Sequence, residues 1–309
     1  MKINLHIKRF VFLCLIAGNL HAQDEHTYYF LEEALKNPTD VHELDLSDQG
    51  LSSLSPEIGK LVNLKNLYLF RNNLTTLPPE IGKLVNLERL HIGANNLTTL
   101  PPEIGTLVNL DCLWLEENNL TSLPTEIGNC KNLTYLNLWR NQITHLPPEI
   151  GNCSKINKIV LSENKLTSLP PEIGKLTHMG DLFLDNNQLK ELPQEICNLT
   201  ELFWFKLENN QLEKLPDSIG KMKGLTWLHL EHNKFTYLPS TFGNLKNMSH
   251  LSINDNQFTI ASTYYQLEKL PKLERLYYEH NLFSAEDILK IEAWIKERGI
   301  NPPFDFGED

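Results

Sequence analysis

The chain has 309 residues, 41% of them hydrophobic, and a formal net charge of −11 at pH 7. This length and apolar content are sufficient for a large folded core. The acidic balance argues against nucleic-acid binding, because a phosphate backbone is bound by clustered Lys and Arg side chains, and the sequence contains no such basic stripe.

The first 22 residues have the composition of a secretory signal peptide. Basic residues precede an apolar run from Phe10 to Ala17, and Ala22 supplies a small residue at the expected cleavage position. The apolar run is well short of the roughly 20 residues that a membrane-spanning helix needs. We therefore expect a secreted or periplasmic protein with no membrane attachment after cleavage, and an uncleaved anchor is the alternative.

Residues 23–40 are expected to form an N-terminal capping helix. Tyr28, Leu31 and Leu35 recur at helical spacing, and Pro38 ends the pattern because the residue before a proline avoids helical angles. A cap is needed here because the first unit of a repeat protein would otherwise expose its apolar end to water.

One pattern fills residues 41–283 and occurs eleven times, with a period of 23 residues until Met248, whose copy has 25. A fixed period in this range predicts a solenoid, in which stacked units bury a core that none of them could bury alone. The copies start at Val41, Leu64, Leu87, Leu110, Leu133, Ile156, Met179, Leu202, Leu225, Met248 and Leu273.

The clearest copy runs from Leu87 to Asn109 and predicts a strand followed by a turn. Leu90 and Ile92 lie three and five places from its start, an alternation typical of a strand with one buried face. The second half of each copy reads L-P-x-E-I-G-x-L-x-N. Proline fits the first position of a short helical turn and glycine ends such a turn, so a turn of this kind is expected in each copy.

An amide side chain stands eight places from the start of every copy. Such a side chain both donates and accepts hydrogen bonds, so a stack of them can satisfy backbone groups where the chain leaves the sheet. We predict a structural ladder rather than a row of ligand contacts. Its members are Gln49, Asn72, Asn95, Asn118, Asn141, Asn164, Asn187, Asn210, Asn233, Asn256 and Asn281.

The repeat resembles the leucine-rich repeat, through the positions occupied by Leu87, Leu90, Ile92, Asn95, Leu97 and Leu100. The L-P-x-E-I-G continuation is similar to a 23-residue subtype found in many bacterial repeat proteins, and to Ras-scaffold and plant intracellular Ras-group repeat proteins. The resemblance implies an α/β fold: a right-handed solenoid with a parallel sheet on the concave face and short helical turns on the convex face. It also implies protein–protein binding.

Residues 284–309 are expected to close the solenoid as a C-terminal capping helix and tail. Ser284 is suited to be the N-cap of this helix because Asp287 follows three places later. Gly299 and Pro302 then end the helical pattern.

Signatures of catalysis are absent from the sequence. It contains no H-E-x-x-H, no G-x-S-x-G, no P-loop and no close Cys/His spacing for a metal. Some bacterial leucine-rich-repeat proteins are ubiquitin ligases with a separate catalytic domain, but only 26 residues without cysteine follow Phe283. We therefore expect no enzymatic activity, no cofactor and no metal site.

The variable strand positions predict the functional surface. Residues two, four, six and seven places from each start point away from the core, because side chains alternate along a strand. A contiguous aromatic strip at such positions marks a binding surface, and Trp, Tyr and Arg are the usual energetic anchors. The alternative is that the rings only stiffen the sheet. The candidate partner-binding residues are Tyr68, Phe70, Arg89, His91, Trp114, Tyr135, Trp139, Phe183, Trp204, Trp227, His229 and His250.

Charges divide this strip into two parts. Arg71, Arg89 and Arg140 accompany the first part, which would suit acidic groups of a partner. Carboxylates accompany the second part, which would suit basic groups; they belong to Asp181, Asp185, Glu208 and Glu231. A solvated face explains the same charges equally well. The sequence predicts a protein partner of unknown identity; a glycan, since rings above carboxylates suit sugars, and a purely structural spacer remain as alternatives.

Cys130 and Cys153 stand one period apart, at a position where other copies have leucine. A disulfide requires Cα atoms about 4.4–6.8 Å apart, so a bridge between adjacent turns is geometrically feasible. Because free cysteine is also a good small core residue, two buried reduced thiols are the alternative that we favour.

Overall fold

The computed structural model describes residues 27–301, which form stacked turns around one parallel sheet. The expected signal peptide, residues 1–22, lies outside the described residues. Twelve strands follow one another in chain order, and each pairs in parallel with the next. They are Thr27–Tyr28 (β1), Glu43–Asp45 (β2), Asn66–Tyr68 (β3), Arg89–His91 (β4), Cys112–Trp114 (β5), Tyr135–Asn137 (β6), Lys158–Val160 (β7), Asp181–Phe183 (β8), Trp204–Lys206 (β9), Trp227–His229 (β10), His250–Ser252 (β11) and Arg275–Tyr277 (β12).

Each strand is anchored by its middle residue. In β4, Leu90 is fully buried, whereas Arg89 and His91 are half-buried on the opposite face of the sheet. Leu90 lies in register with Leu67 of β3 and Leu113 of β5, so identical positions of successive copies stack directly. Because of this register, residues at the same strand position of successive copies form a row that crosses the sheet, perpendicular to the strands.

Short 3₁₀ turns lie on the other side of the core. Proline begins six of the ten turns in the described residues, because its fixed φ suits the first turn position. A buried isoleucine such as Ile104 fixes the turn to the core. The turns span Pro38–Asp40, Pro56–Lys60, Pro79–Lys83, Pro102–Thr106, Thr125–Asn129, Pro148–Asn152, Pro171–Lys175, Gln194–Asn198, Ile219–Lys221 and Phe242–Asn244. The predicted fold class, an α/β solenoid with a parallel sheet on the concave face and short turns on the convex face, is confirmed.

The N-terminal end differs from the predicted capping helix. Tyr28 lies in β1, where it pairs with Leu44 of β2, and the helix that follows, α1, spans only Leu31–Ala34. The physical reason is that the outer edge of β2 presents unpaired backbone groups, which a short added strand satisfies and a helix would not. Apolar residues at this spacing suit either structure, so the periodicity alone could not distinguish them.

Two longer helices occur near the C-terminal end. Helix α2, Ile260–Leu267, occupies the stretched copy in place of a 3₁₀ turn. Helix α3, Ala285–Arg298, begins at Ser284, whose hydroxyl accepts a hydrogen bond from the Asp287 amide while the Asp287 carboxylate accepts one from the Ser284 amide. Gly299 ends it in the left-handed conformation, and Trp294 packs edge-on against Tyr264 at 5.8 Å.

The repeated asparagine makes the predicted ladder. Asn141 is 3% exposed, and its amide group donates to the carbonyl oxygens of Leu115 at 2.9 Å and Leu138 at 3.1 Å. Its side-chain oxygen accepts a hydrogen bond from the Leu120 amide at 3.0 Å. Leu115 and Leu120 belong to the preceding copy, so each asparagine ties its own turn to the turn before it.

The residue just before each ladder position has an unusual backbone conformation. Its φ lies between 52° and 57° in all eleven copies, although none of these residues is glycine. Ala94, Glu117 and Arg140 are examples. A left-handed residue with a side chain costs about 1–2 kcal/mol, so the hydrogen bonds of the neighbouring asparagine must offset this cost in every turn.

Adjacent 3₁₀ turns pack so closely that a glycine is required between them. A Cβ atom on Gly174 would lie 2.3 Å from the carbonyl oxygen of Glu195 in the next turn. Cys197 occupies the same place one copy later, and the turn that follows it starts its 3₁₀ helix only at Ile219. This position therefore accommodates a side chain in one copy, and Cys197 is 1% exposed there.

We therefore expect Gly174→Ala to lower the free energy of unfolding by about 1–3 kcal/mol, because the added methyl group forces two packed turns apart. Urea unfolding followed by circular dichroism would measure the loss. Cys197→Ala is the matched control, and it should cost clearly less because that turn already accommodates a side chain. Equal losses in the two variants would contradict this account of the glycine.

Candidate functional site

The candidate site is the outward, concave face of the sheet, where rings from neighbouring strands contact one another. In the N-terminal half, the centroids of Phe70 and His91 lie 4.8 Å apart, and those of His91 and Trp114 lie 5.6 Å apart. Tyr135 continues the row at 5.6 Å from Trp114. We call these four residues the first ring row. Its rings are half-buried because they cover one another while one side of each stays open to solvent.

A second ring row lies in the C-terminal half and consists of Phe183, Trp204, Trp227 and His250. Phe183 meets Trp204 edge-on at 4.9 Å, and Trp204 lies 5.8 Å from Trp227. The Trp227 and His250 rings are stacked at 3.6 Å with an interplanar angle of 9°. Trp204, Trp227 and His250 are in direct register on adjacent strands, as equal positions in consecutive copies require.

Lysine and arginine side chains lie over several of these rings. Lys158 lies in β7, between the two ring rows. Its Nζ atom is 4.7 Å from the centroid of Phe183 and 3.2 Å from a carboxylate oxygen of Asp181. In the first half, the Arg71 guanidinium lies 5.0 Å from the Phe70 centroid. Such cation–π contacts orient the long side chains along the face.

The remaining predicted residues lie beside the rows rather than in them. Tyr68 and Arg89 are half-buried on the outward face, Tyr68 in register with His91, and burial is the main cause that raises the pKa of the Tyr68 phenol. Trp139 lies where its strand has ended. Its indole nitrogen donates to Glu163 at 3.2 Å, and the Arg140 guanidinium lies 4.3 Å from its ring.

His229, the last predicted residue, lies in a cluster of titratable groups. Its Nδ1 atom is 3.2 Å from Glu231 Oε1, and Glu208 Oε1 accepts a hydrogen bond from Lys206 at 3.3 Å. Burial raises the pKa of Glu208, and the charge of Asp185 adds to this effect. Burial alone would also raise the pKa of Glu231, but the hydrogen bond and charge of His229 outweigh it and lower that pKa.

Three side chains of this cluster could ligate a metal, although the sequence led us to expect no metal site. One ligating atom from each of Glu208, His229 and Glu231 lies within 4.8 Å of the other two. The missed signal is positional: Glu208 and Glu231 both stand six places from the start of their copies, so they meet across adjacent turns. A search for close spacing along the chain cannot find residues that stacking brings together.

Cys130 and Cys153 are separate thiols in the structure. The Cys130 thiol donates to the carbonyl oxygen of Ile104 at 3.4 Å, and the Cys153 thiol donates to that of Ile127 at 3.2 Å. Burial raises the pKa of Cys130 to about 12 and that of Cys153 to about 11. Because the thiolate is the reactive form, both side chains should be poor partners in disulfide exchange.

Alkylation should therefore leave Cys130 and Cys153 unmodified in the folded chain near pH 8 and modify both after unfolding without reductant. Peptide mapping by mass spectrometry would measure both states. Half-exposed Cys112 is the internal comparison: burial and the charge of Asp111 raise its pKa to about 12 as well, so any faster modification of Cys112 reports exposure alone. A peptide joining Cys130 to Cys153 in the unreduced sample would instead establish the bridge.

Stacked short strands, 3₁₀ turns and one open sheet face define a repeat solenoid. The family described as leucine-rich repeat region matches residues 40–134 and 172–291, and a second leucine-rich-repeat description matches residues 131–189. The chain belongs to the leucine-rich-repeat family. Members of this family generally bind proteins and are typically non-catalytic scaffolds.

Solved structures of several leucine-rich-repeat proteins are similar to this chain. The plant peptide hormone receptor RGFR1 in complex with RGF2 is 31% identical, with a TM-score of 0.65 over 83% of this chain and 46% of the receptor chain. An internalin of Listeria monocytogenes is 22% identical, with a TM-score of 0.63 over 83% of this chain and 78% of the internalin. This chain thus spans less than half of the plant receptor.

A leucine-rich-repeat protein of Leptospira interrogans is 29% identical over 91% of this chain and 100% of its own, with a TM-score of 0.39. The search of curated proteins found no match. Within residues 27–301, none of the helices combines the length and apolar character that crossing a membrane requires.

Proposed function

We propose that the chain is an exported, non-catalytic leucine-rich-repeat protein of the 23-residue bacterial subtype, and that its concave face binds a protein partner. The observation that carries the proposal is the pair of ring rows on the outward face, in which neighbouring rings contact one another and all but the buried Phe183 are half-exposed. Preorganised aromatic side chains of this kind lose little conformational freedom on binding, so most of their contact energy is available for affinity.

The charges beside the two rows support a protein partner with an uneven charge distribution. Arg71 and Arg140 are exposed beside the first row, and Glu208 and Glu231 lie beside the second. Complementary charges on a partner would fix which end of it lies on which half of the sheet. An open, charged and aromatic surface of this length suits an extended protein segment better than a small molecule, which needs an enclosing pocket.

Similar proteins support both the mode of binding and the compartment. The plant receptor RGFR1 is described in complex with RGF2, and a second plant receptor from Arabidopsis thaliana, 27% identical to this chain, in complex with CASPARIAN STRIP INTEGRITY FACTOR 2. Together with the signal-like composition of residues 1–22, they favour a secreted or periplasmic location. A glycan is the second candidate ligand, since rings lie next to carboxylates, but His250 already covers one face of Trp227.

Affinity capture with matched variants would test the proposal. Three surfaces would carry the chain without residues 1–22: the parent, the double variant Trp204→Ala/Trp227→Ala, and Phe203→Ala. The last variant removes a 47% exposed ring outside the second ring row. We expect a protein that the parent chain and Phe203→Ala retain and that the double variant loses. Identical captured proteins on all three surfaces would contradict the proposal, and specific signals on a glycan array would favour the sugar instead.

A further inference from the structure

We propose that Glu208, His229 and Glu231 form a binding site for one zinc ion on the outward face of the sheet. The three side chains come from two adjacent copies, and one ligating atom of each lies within 4.8 Å of the other two. Zinc bound at about 2.0–2.2 Å by tetrahedral ligands holds those ligands about 3.4 Å apart. Side-chain rotations that move each atom by about 1 Å would therefore close the site around the ion.

Unpartnered polar atoms provide an independent observation at the same place. Glu208 Oε2, His229 Nε2 and Glu231 Oε2 are shielded from solvent and have no hydrogen-bond partner, and neither has the indole nitrogen of the adjacent Trp204. Among residues 27–301, the three atoms that can ligate a metal are half of the six buried side-chain atoms in this condition; the Trp204 indole N–H is a donor and cannot ligate an ion. Native proteins seldom leave such atoms unsatisfied, so their concentration in one cluster indicates a missing ligand.

The chemistry of the three side chains selects the ion. Calcium and magnesium prefer an all-oxygen set, whereas an imidazole together with carboxylates suits zinc. Two carboxylates also compensate the charge of a divalent cation. The side chains of Glu208, His229 and Glu231 are 13%, 23% and 19% exposed, so the ion has a path from solvent and one coordination position remains for water.

Internal ion pairs account for only part of the cluster. The Lys206 ammonium contacts Glu208 Oε1, and His229 Nδ1 contacts Glu231 Oε1, which leaves the second oxygens and His229 Nε2 without partners. A related histidine–glutamate pair lies in the N-terminal half of the sheet, and there both carboxylate oxygens have hydrogen-bond partners.

That pair consists of His91 and Glu116, which stand at the same two repeat positions as His229 and Glu231 but in consecutive copies rather than in one. His91 Nε2 lies 2.9 Å from Glu116 Oε1, and the second oxygen of Glu116 accepts a hydrogen bond from the Asn137 amide at 3.1 Å. Here an asparagine satisfies the carboxylate, and among the described residues no third ligating group joins the pair. The pair therefore provides the matched control for a metal titration.

Isothermal titration of ZnCl₂ into the untagged, EDTA-treated chain would test the site. We expect one zinc ion per chain, with affinity reduced at least tenfold in Glu231→Gln and in His229→Asn. His91→Asn should bind as the parent chain does. Cys112→Ser should also bind normally, which separates the site from adventitious binding by a half-exposed thiol. Circular dichroism would establish that each variant is folded.

A second measurement makes the result independent of binding heat. Zinc should raise the thermal unfolding midpoint of the parent chain and of His91→Asn but not that of His229→Asn, because a ligand bound only by the folded state stabilises it. Absence of zinc binding at millimolar concentration, unchanged affinity in His229→Asn, or loss in Cys112→Ser would overturn the proposal. None of these results depends on the protein partner, so the two proposals can fail separately.

Discussion

Asn141→Leu should lower the free energy of unfolding by at least about 3 kcal/mol, although the substitution adds apolar surface. Leucine cannot replace the hydrogen bonds of Asn141 to Leu115, Leu120 and Leu138, all of which are buried. Each buried backbone group left without a partner costs about 1–3 kcal/mol. Urea unfolding of the variant and the parent would measure the difference in free energy, provided that both show the same dependence of unfolding free energy on urea concentration (the m-value).

Asn119→Leu is the control for this prediction, because Asn119 is exposed and lies one place after the ladder asparagine of the preceding copy. Its effect should be within about 0.5 kcal/mol, as is usual for surface substitutions. If Asn141→Leu abolished partner binding while leaving the unfolding curve unchanged, the ladder would be a binding site and not a scaffold.

Trp204→Ala/Trp227→Ala should weaken partner binding by at least about 2 kcal/mol, or about thirtyfold in Kd, without unfolding the chain. The two rings form the centre of the second ring row, where contact with a partner would exclude water most completely. Biolayer interferometry with the captured partner would measure the change.

Phe203→Ala again serves as the control, because it removes a ring that is more exposed than either tryptophan and lies outside the second ring row. The melting temperature of the double variant would show whether the fold survives. Parent-like affinity in a folded double variant would remove the second ring row from the binding site and would favour a purely structural role for the rings.

The period of the repeat was sufficient to predict most of the fold. Once Leu90 and its equivalents are assigned to the core, the strand, the register and the turn follow from stacking. The left-handed residue before each asparagine was not predictable, because Ala94 or Glu117 gives no chemical sign of it. That conformation follows from how the backbone must turn to reach the asparagine, which only the three-dimensional structure shows.

The sequence was sufficient to predict which repeat positions face outward in the candidate site, but not which of their side chains contact one another. Alternation placed Trp204 and Trp227 outward at equal repeat positions, and they are in register. In the first ring row, His91 and Trp114 stand four places from the start of their copies, whereas Tyr135 stands two places from its start. Their contacts therefore depend on side-chain directions, which the repeat positions do not give. The cluster around His229 depends on a neighbouring copy in the same way.

The asparagine ladder also has a direction with an evolutionary consequence. Every copy completes the hydrogen bonds of the copy before it, as Asn164 does for Leu138 and Ile143. A gene duplication or deletion of one whole repeat would therefore recreate the same junction on both sides. The copy of 25 residues that starts at Met248 keeps this junction as well, because Asn281 bonds to Ile253 and Phe258. Repeat number can thus vary among descendants of such a gene while the joint between turns stays constant, which lets selection lengthen the recognition surface in steps of one strand.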